Sequence, residues 1–312
     1  MNDTFEVPIL LIIFNRPDTT QLVFEQIKKA KPKYLFVAAD GPRTDKPSDI
    51  ELCAKTQNII KDIDWDCELK TFFRTKNVGC GRGPSDAITW FFDHVEMGII
   101  LEDDCVPSIP FFDYCTYLLN KYKNNHQVWI IGGRSHFAHN RQFNDFDYLF
   151  SNYAHTWGWA TWRRCWNHFD IHLEDKWKSF YETGGYKNVY LSKIEGIFWN
   201  FFYSRLNKEK DLATHVWDFQ FAFNMHLNRG LAVIPAANLV ENIGYDGTHF
   251  SGTTKALKLK AADEYSITKE PKYILPNRKY EIYHFYHDFY TRLGTYILNK
   301  YRKIIKKRNN GR

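Results

Sequence analysis

The chain has 312 residues, of which 44% are hydrophobic and 25% are charged. These proportions allow one large α/β domain with additions, or two modest domains, and they exclude a globally disordered chain. The net charge of +6 is a mild excess, concentrated in the tail that follows Lys300. A protein that binds nucleic acid usually spreads basic residues over a whole face, so we expect no nucleic-acid partner.

Cysteine usage and the N-terminus bear on the cellular compartment. None of the six cysteines forms a CxxC pair, and no Cys/His cluster has zinc spacing. The apolar run Val7–Phe14 is too short to cross a bilayer or to form a good signal sequence. We therefore expect a cytoplasmic protein with reduced thiols.

Buried strands alternate with helices through the first half of the chain. Unbroken apolar runs, typical of strands buried on both faces, predict five strands: Val7–Phe14, Tyr34–Ala39, Cys67–Phe73, Met97–Leu101 and Gln127–Ile131. Helices are predicted to begin at Asp18, Ser48, Pro84 and Pro110, and Asn77–Gly83 is predicted to be a glycine-bearing loop. This alternation predicts an α/β fold with a doubly wound, mostly parallel sheet.

Polar clusters follow four of these strands. They are Asn15-Arg16, Asp40, Arg74 and the triplet Glu102-Asp103-Asp104. Ligands of open parallel sheets bind beyond the carboxyl ends of the strands. The four clusters together therefore predict one functional site at that edge.

Aromatic residues dominate the chain after Ser151. Helices are predicted near Ile194–Leu206 and Val216–Asn228, and a strand over Leu231–Pro235. Trp157, Trp159 and Trp162 are predicted either to form a platform for a sugar or an acceptor, or to pack in the core. Gly158 between them would let a backbone approach a bound ligand closely.

The C-terminal region carries apolar residues at steps of three and four from Glu281 to Lys307, with a basic end. This pattern predicts an amphipathic helix, either docked on the domain or attached to an anionic membrane surface or a partner. We accordingly divide the chain into residues 1–135, residues 136–260 and a helical extension (261–312).

The acidic triplet favours metal chemistry. Adjacent carboxylates repel one another unless a cation or hydrogen-bond donors compensate for their charge. Mg²⁺ or Mn²⁺ takes one or two protein carboxylates and fills its other positions with water and phosphate oxygens. Such an ion would neutralise the charge on a departing diphosphate.

Four segments together resemble a known family: FNRPDTT, ADGP, RTKNVGCGRGPSDAI and GIILEDDCVPSIPFF. They resemble GT-A fold glycosyltransferases that use nucleotide-diphospho-sugars, of the bacterial polysaccharide type related to the N-acetylglucosaminyltransferase I group. The resemblance covers about Pro8 to Gly133. It continues more loosely through TWGWATW and HVWDFQFA to Asn242–His249. The resemblance implies that residues 1–135 form the nucleotide-sugar-binding half of the domain and residues 136–260 its acceptor and catalytic half.

The resemblance implies roles for the residues that bind the donor. Asn15 and Arg16 would lie beside the base and the phosphates. Asp40 would accept hydrogen bonds from the base or the ribose. Glu102 and Asp103 would contact the ribose and the diphosphate.

Further roles follow for the metal and the general base. Asp104 resembles the direct metal ligand. The usual acidic signature of the family is Asp-x-Asp, whereas this chain has Glu102 in the first position. Glu also occurs there in the related group. Trp217-Asp218 resembles the step whose aspartate is the general base of inverting members, with Trp217 at the substrate. The apolar neighbours of Asp218 favour a basic carboxylate on independent grounds. Competing carboxylates are Asp170, Glu174 and Asp175, and Asp218 could instead cap its helix.

Other candidates each have an alternative structural role. Arg74 would bind the diphosphate or pair with Asp86. Arg82 and the Asn77–Gly83 loop would approach phosphate, or form an ordinary turn. His249 is a candidate contact to phosphate or metal.

The sequence thus predicts an inverting glycosyltransferase that depends on Mn²⁺ or Mg²⁺, with a UDP-sugar as the favoured donor. We expect a glycan or lipid-linked acceptor in cell-surface polysaccharide synthesis, and peripheral contact of the basic C-terminal helix with the inner membrane face. A sugar-phosphate nucleotidyltransferase would usually carry a glycine-rich basic loop after the first strand, where this chain has NRPDTT. A catalytically silent sugar-nucleotide-binding protein would be expected to lack Asp104 or Asp218.

Overall fold

The computed structural model describes residues 5–135, 145–208, 216–244 and 259–287. Its strands are β1 (Ile9–Ile13), β2 (Tyr34–Ala39), β3 (Glu68–Phe73), β4 (Met97–Glu102), β5 (Cys105–Pro107), β6 (Val128–Gly132), β7 (Tyr148–Ser151), β8 (Trp159–Trp162), β9 (Leu231–Pro235) and β10 (Val240–Asn242). Its α-helices are α1 (Pro17–Ala30), α2 (Ser48–Asn58), α3 (Gly79–His94), α4 (Ile109–Tyr122), α5 (Arg163–Trp166), α6 (Glu174–Glu182), α7 (Lys193–Lys208) and α8 (Asp218–Leu227). Residues 278–287 are also helical.

Eight of the strands form one sheet in the order β3-β2-β1-β4-β8-β6-β9-β7. The pairs β1–β2, β1–β4, β2–β3 and β6–β9 are parallel. Strand β8 runs antiparallel between β4 and β6, and β7 runs antiparallel beside β9. The predicted α/β class and mostly parallel sheet are confirmed, but the reversed strand β8 separates β6 from β4.

Helices cover both faces of the sheet. Helices α1, α2 and α4 pack on one face, whereas α3 and α5 pack on the other. Helix α8 joins the second face, because its Phe221 packs against Trp129 and Trp166. The five residues of β1 are all buried, as the unbroken apolar run predicted.

A second, smaller core lies beyond this face and is built mainly from aromatic side chains. Helices α6, α7 and α8 contribute Phe180, Trp199, Tyr203 and Phe223 to it. We call this cluster the aromatic subcore. It explains much of the aromatic content of the second half, because these rings fill an interior rather than cover a surface.

The C-terminal region is irregular over residues 259–277 and becomes helical at 278. Buried Glu281 attaches this helix to the sheet by accepting hydrogen bonds from the Ser151 hydroxyl (2.6 Å) and the Asn152 backbone amide (2.8 Å). The predicted basic end of the helix lies outside the described residues. Within the described residues no helix has the length and apolarity needed to cross a membrane.

Candidate functional site

The polar clusters that follow β1, β2, β3 and β4 lie at one edge of the sheet. The parallel registers place Ile13 beside Ala39, Ala39 beside Phe73, and Ile12 beside Glu102. The strands therefore end together, and the residues that follow them share this carboxyl edge, as the sequence predicted.

Arg16 joins the β1 end to the acidic triplet. Its guanidinium Nη1 donates to Asp104 Oδ2 at 2.8 Å and its Nε donates to Asp103 Oδ2 at 3.2 Å, while Nη2 pairs with Asp103 Oδ1. The Arg16 side chain is 33% exposed, whereas those of Asp103 and Asp104 are 5% and 13% exposed. Burial opposes the charge of Arg16, but the two carboxylates raise its pKa above the ordinary value.

Local sequence fixes the position of Arg16. Pro17 occupies the first turn of α1, and the residue before a proline is biased away from helical geometry. Arg16 accordingly has φ −120° and ψ 75°. Its carbonyl accepts hydrogen bonds from the Thr20 amide (3.1 Å) and hydroxyl (2.7 Å), so the backbone is anchored while the side chain points to the triplet.

The triplet carries more negative charge than Arg16 compensates. Burial, followed by the charges of Asp104, Asp103 and Asp218, raises the pKa of Glu102 to about 8. Burial also raises the pKa of Asp103 to about 6, although the charge and hydrogen bonds of Arg16 oppose this shift. A site with such an excess of carboxylate favours binding of an additional cation.

We expect Glu102→Gln to flatten the pH dependence of stability. Between pH 4.5 and about 8 the folded carboxyl keeps a proton that the unfolded chain has lost, so the wild-type stability falls as pH rises. Through this one carboxyl group the free energy of unfolding changes by at most about 1.4 kcal/mol per pH unit. Urea unfolding across this range without divalent ions measures it, with exposed Glu264→Gln as control. Equal slopes in wild type and Glu102→Gln would contradict the expectation.

A two-stranded ribbon holds Asp104 from the other side. Strand β10 pairs antiparallel with β5, and the Ile243 amide donates to the Asp104 carbonyl at 2.8 Å. Asn242 Nδ2 lies 3.4 Å from Asp104 Oδ1. A Cβ on Gly244 would clash with the Asp104 carboxylate, so a larger residue at this position would displace that side chain. The contact of Asn242 with Asp104 was not predicted.

The side chains around Asp104 determine which metal ions this site could bind. No group of three His, Cys, Asp or Glu side chains among the described residues forms a ready metal site. Mg²⁺ and Mn²⁺ nevertheless often bind to one or two protein carboxylates, with water and phosphate oxygens as the remaining ligands. The partly buried carboxylate of Asp104, beside the Asn242 amide, is a ligand of this kind. The side chains therefore fit a divalent ion that binds together with a diphosphate. His249 lies outside the described residues.

Asp218 lies close to the triplet although it is far from it in sequence. It is the first residue of α8 and is half-buried. Its charge contributes to the raised pKa of both Glu102 and Cys80, which places it within electrostatic range of the β4 end and the start of α3. The structure thus brings the candidate base to the same edge as the candidate metal ligand.

Asp40 has a structural role that differs from the predicted contact to a base or ribose. Its carboxylate accepts hydrogen bonds from the backbone amides of Gly41 (2.9 Å) and Gly79 (3.1 Å), from the Val78 amide and from Asn77 Nδ2 (2.9 Å). These four donors fill the acceptor positions of one carboxylate. Burial raises the pKa of Asp40, and the backbone donors oppose the shift.

This capping also corrects the predicted loop over Asn77–Gly83. Helix α3 begins at Gly79, five residues before Pro84. The helix can begin there because the carboxylate of Asp40, the residue after β2, accepts hydrogen bonds from its first amides. Arg82 is consequently an exposed helical residue rather than part of a phosphate-binding loop. Pro84 is the sixth residue of the helix and has no backbone amide hydrogen, so one helical hydrogen bond is missing at that point.

Two other predicted donor-binding residues contact protein groups. Asn15 Nδ2 donates to Asp49 Oδ1 at 2.8 Å, and the hydrogen bonds of Arg43 lower the pKa of buried Asp49 to about 2. Arg74 Nη2 pairs with Asp86 Oδ2 at 2.7 Å, which is the structural alternative to a diphosphate contact. The pair Arg43–Asp49 was not predicted, since a carboxylate at the start of a helix carries no signal of its side-chain partners.

Trp159 and Trp217 lie in the core, which for Trp159 is one of the two predicted alternatives. Both are buried, and their rings stack at 5.7 Å between centroids. Trp159 is a residue of the central strand β8, so its ring must point into one of the covered faces of the sheet. Gly158, at φ +65°, does permit a close approach, but the neighbour is Val240 of β10.

A doubly wound, mostly parallel sheet with a polar carboxyl edge defines a Rossmann-like α/β fold. No family model and no curated protein matches the sequence. Among solved structures, 4-diphosphocytidyl-2C-methyl-D-erythritol synthase from Anaerococcus prevotii is similar at 9% identity and a TM-score of 0.30, over 52% of this chain and 74% of that one. HddC from Yersinia pseudotuberculosis is similar at 6% identity and a TM-score of 0.30, over 51% and 78%. Similarity this low carries no argument about activity.

Proposed function

We propose that the protein is an inverting glycosyltransferase that uses a nucleotide-diphospho-sugar. The observation that carries the proposal is the convergence of Arg16, the triplet Glu102-Asp103-Asp104 and Asp218 at the carboxyl edge of the sheet. Such an edge suits a nucleotide, an excess of carboxylate suits a divalent cation, and a half-buried carboxylate suits a general base. The motif resemblance of residues 8–133 supports the same reaction.

In this proposal Asp104 would hold Mn²⁺ or Mg²⁺ together with the diphosphate, and the ion would supply charge neutralisation. Arg16 would exchange its ion pair with the triplet for one with phosphate, because a guanidinium binds carboxylate and phosphate in similar geometry. UDP is the favoured nucleotide on the strength of the resemblance.

Asp218 would act on the acceptor. Its carboxylate removes the proton of the acceptor hydroxyl while the oxygen attacks the anomeric carbon. The bond from that carbon to the diphosphate oxygen breaks, and the nucleoside diphosphate leaves with the electron pair. Attack from the face opposite the leaving group inverts the anomeric configuration. The acceptor would be a glycan or a lipid-linked saccharide at the cytoplasmic side of the membrane.

The test is a thermal-shift panel of nucleotide sugars, each with and without Mn²⁺. A ligand at a hundred times its Kd stabilises the folded state by about 2.7 kcal/mol, and we expect one UDP-sugar to do so only with Mn²⁺. Asp104→Ala should abolish this increment, whereas exposed Asp113→Ala should retain it.

An unchanged increment in Asp104→Ala would refute the proposed metal site. Stabilisation by a nucleoside triphosphate and a sugar phosphate, with release of pyrophosphate, would instead indicate a nucleotidyltransferase.

A further inference from the structure

Helix α7 is apolar on both of its faces. Its inner face places Trp199, Tyr203 and Leu206 in or beside the aromatic subcore. Its outer face carries Ile194, Ile197 and Phe201, which are 54%, 69% and 68% exposed. A helix that is apolar all round is normally covered on all sides, so the outer face of α7 has the character of an interface.

These three side chains form one continuous stripe. They are three and four residues apart, which places them on the same side of successive turns. A groove of about 420 Å³ runs beside the stripe between α6 and α7, and Trp177, Tyr181, Ile197 and Phe201 contribute to its walls. The exposed apolar stripe of α7 therefore lies beside a groove with partly aromatic walls.

The charges around the stripe are mostly positive. Lys193 and Arg205 are exposed on the same side of α7, before and after the apolar residues. The single acidic residue of α7, Glu195, is buried on the inner face, where it accepts a hydrogen bond from the Leu191 amide. Across the groove, exposed Lys178 lies 4.0 Å from Glu182.

We propose that the outer face of α7, formed by Lys193, Ile194, Ile197, Phe201 and Arg205, docks on an anionic lipid surface. Apolar side chains flanked by cations suit the boundary between headgroups and acyl chains, and no carboxylate of α7 faces outward to oppose anionic lipid. A two-fold dimer through this face would bring the same cations of two copies together, so a lipid surface suits the charges better than a second copy.

The docked orientation would also serve a lipid-linked acceptor. On the inner face of α7, the Tyr203 hydroxyl donates to the Phe219 carbonyl at 3.4 Å, next to Asp218. The candidate base therefore directly precedes a residue that α7 contacts with the face opposite the docking face. Membrane docking itself is independent of the proposed transfer reaction, because it is measured without a sugar nucleotide.

The experiment is sedimentation of the full chain with phosphatidylcholine vesicles, with and without phosphatidylglycerol. We expect the wild type to pellet with the anionic vesicles, and Ile197→Ser/Phe201→Ser to reduce partitioning about tenfold, because two large apolar groups no longer enter the lipid. Lys193→Gln/Arg205→Gln should weaken binding mainly at low salt. Ile50→Ser on α2 is the matched control, since Ile50 is 66% exposed and lies outside this face.

Two outcomes overturn the proposal. One is a wild type that stays in the supernatant, or a double serine variant that pellets as wild type does. The other is a wild-type dimer, seen by sedimentation equilibrium, that the serine variant dissociates while vesicle binding is unchanged. Because the substituted side chains are exposed, circular dichroism and Tm should match the wild type and exclude loss of folding.

Discussion

Replacing Asp218 with asparagine should lower the rate of sugar transfer about 10²- to 10⁴-fold while leaving donor binding intact. The amide cannot remove the acceptor proton, yet it keeps the size of the side chain at the start of α8. Turnover with the donor selected by the thermal-shift panel measures the first effect. The Mn²⁺-dependent shift in Tm with the same donor measures the second.

The matched control is Asp170→Asn, which removes a competing carboxylate that pairs with Lys176 at 2.9 Å. We expect this variant to retain turnover, since the ion pair is partly exposed and contributes little to stability. If Asp170→Asn loses transfer and Asp218→Asn keeps it, the base is not Asp218. Loss of the donor-dependent shift in Asp218→Asn would instead indicate a structural role.

Replacing Arg16 with methionine should lower the free energy of unfolding by on the order of 3 kcal/mol near neutral pH. The change removes the guanidinium that pairs with Asp103 and leaves that buried carboxylate without its counter-charge. Methionine preserves much of the length and volume of the side chain, so the decrease in the free energy of unfolding measures mainly the effect of removing the charge. Urea unfolding without divalent ions measures it.

A double-mutant cycle tests the assignment to this pair. Adding Asp103→Asn to Arg16→Met removes the stranded charge, so the double variant should be more stable than Arg16→Met alone. A loss below about 1 kcal/mol in Arg16→Met would show that the pair behaves as an exposed surface ion pair. Additive losses from the two substitutions would show that Arg16 and Asp103 are not coupled.

The strands and their common edge could be predicted from sequence because each has a local signal. The run before Phe14 and that from Tyr34 to Ala39 are apolar without interruption, and polar residues follow both. Parallel pairing then places their ends together. The start of α3 had no such signal, because it depends on Asp40, 39 residues before Gly79.

Pairings across long sequence separations could not be predicted. Arg16 and Asp103 are 87 residues apart, and no local signal indicated that they form an ion pair. Trp159 was predicted either to form a sugar platform or to pack in the core, and its position in β8 buries it completely. Aromatic content alone does not distinguish an interior from a binding surface, whereas strand order does.

The position of β8 has a consequence for folding during synthesis. Among the strands that the structure describes, β6 pairs with β8 and β9, whose residues leave the ribosome later, whereas β1 to β4 pair among themselves from earlier segments. A nascent chain that ends before Trp159 therefore exposes the free edge of β4 and the apolar segment VWIIG of β6. Unpaired apolar strands of this kind favour aggregation, so fragments truncated between β6 and β8 should be less soluble than the full chain.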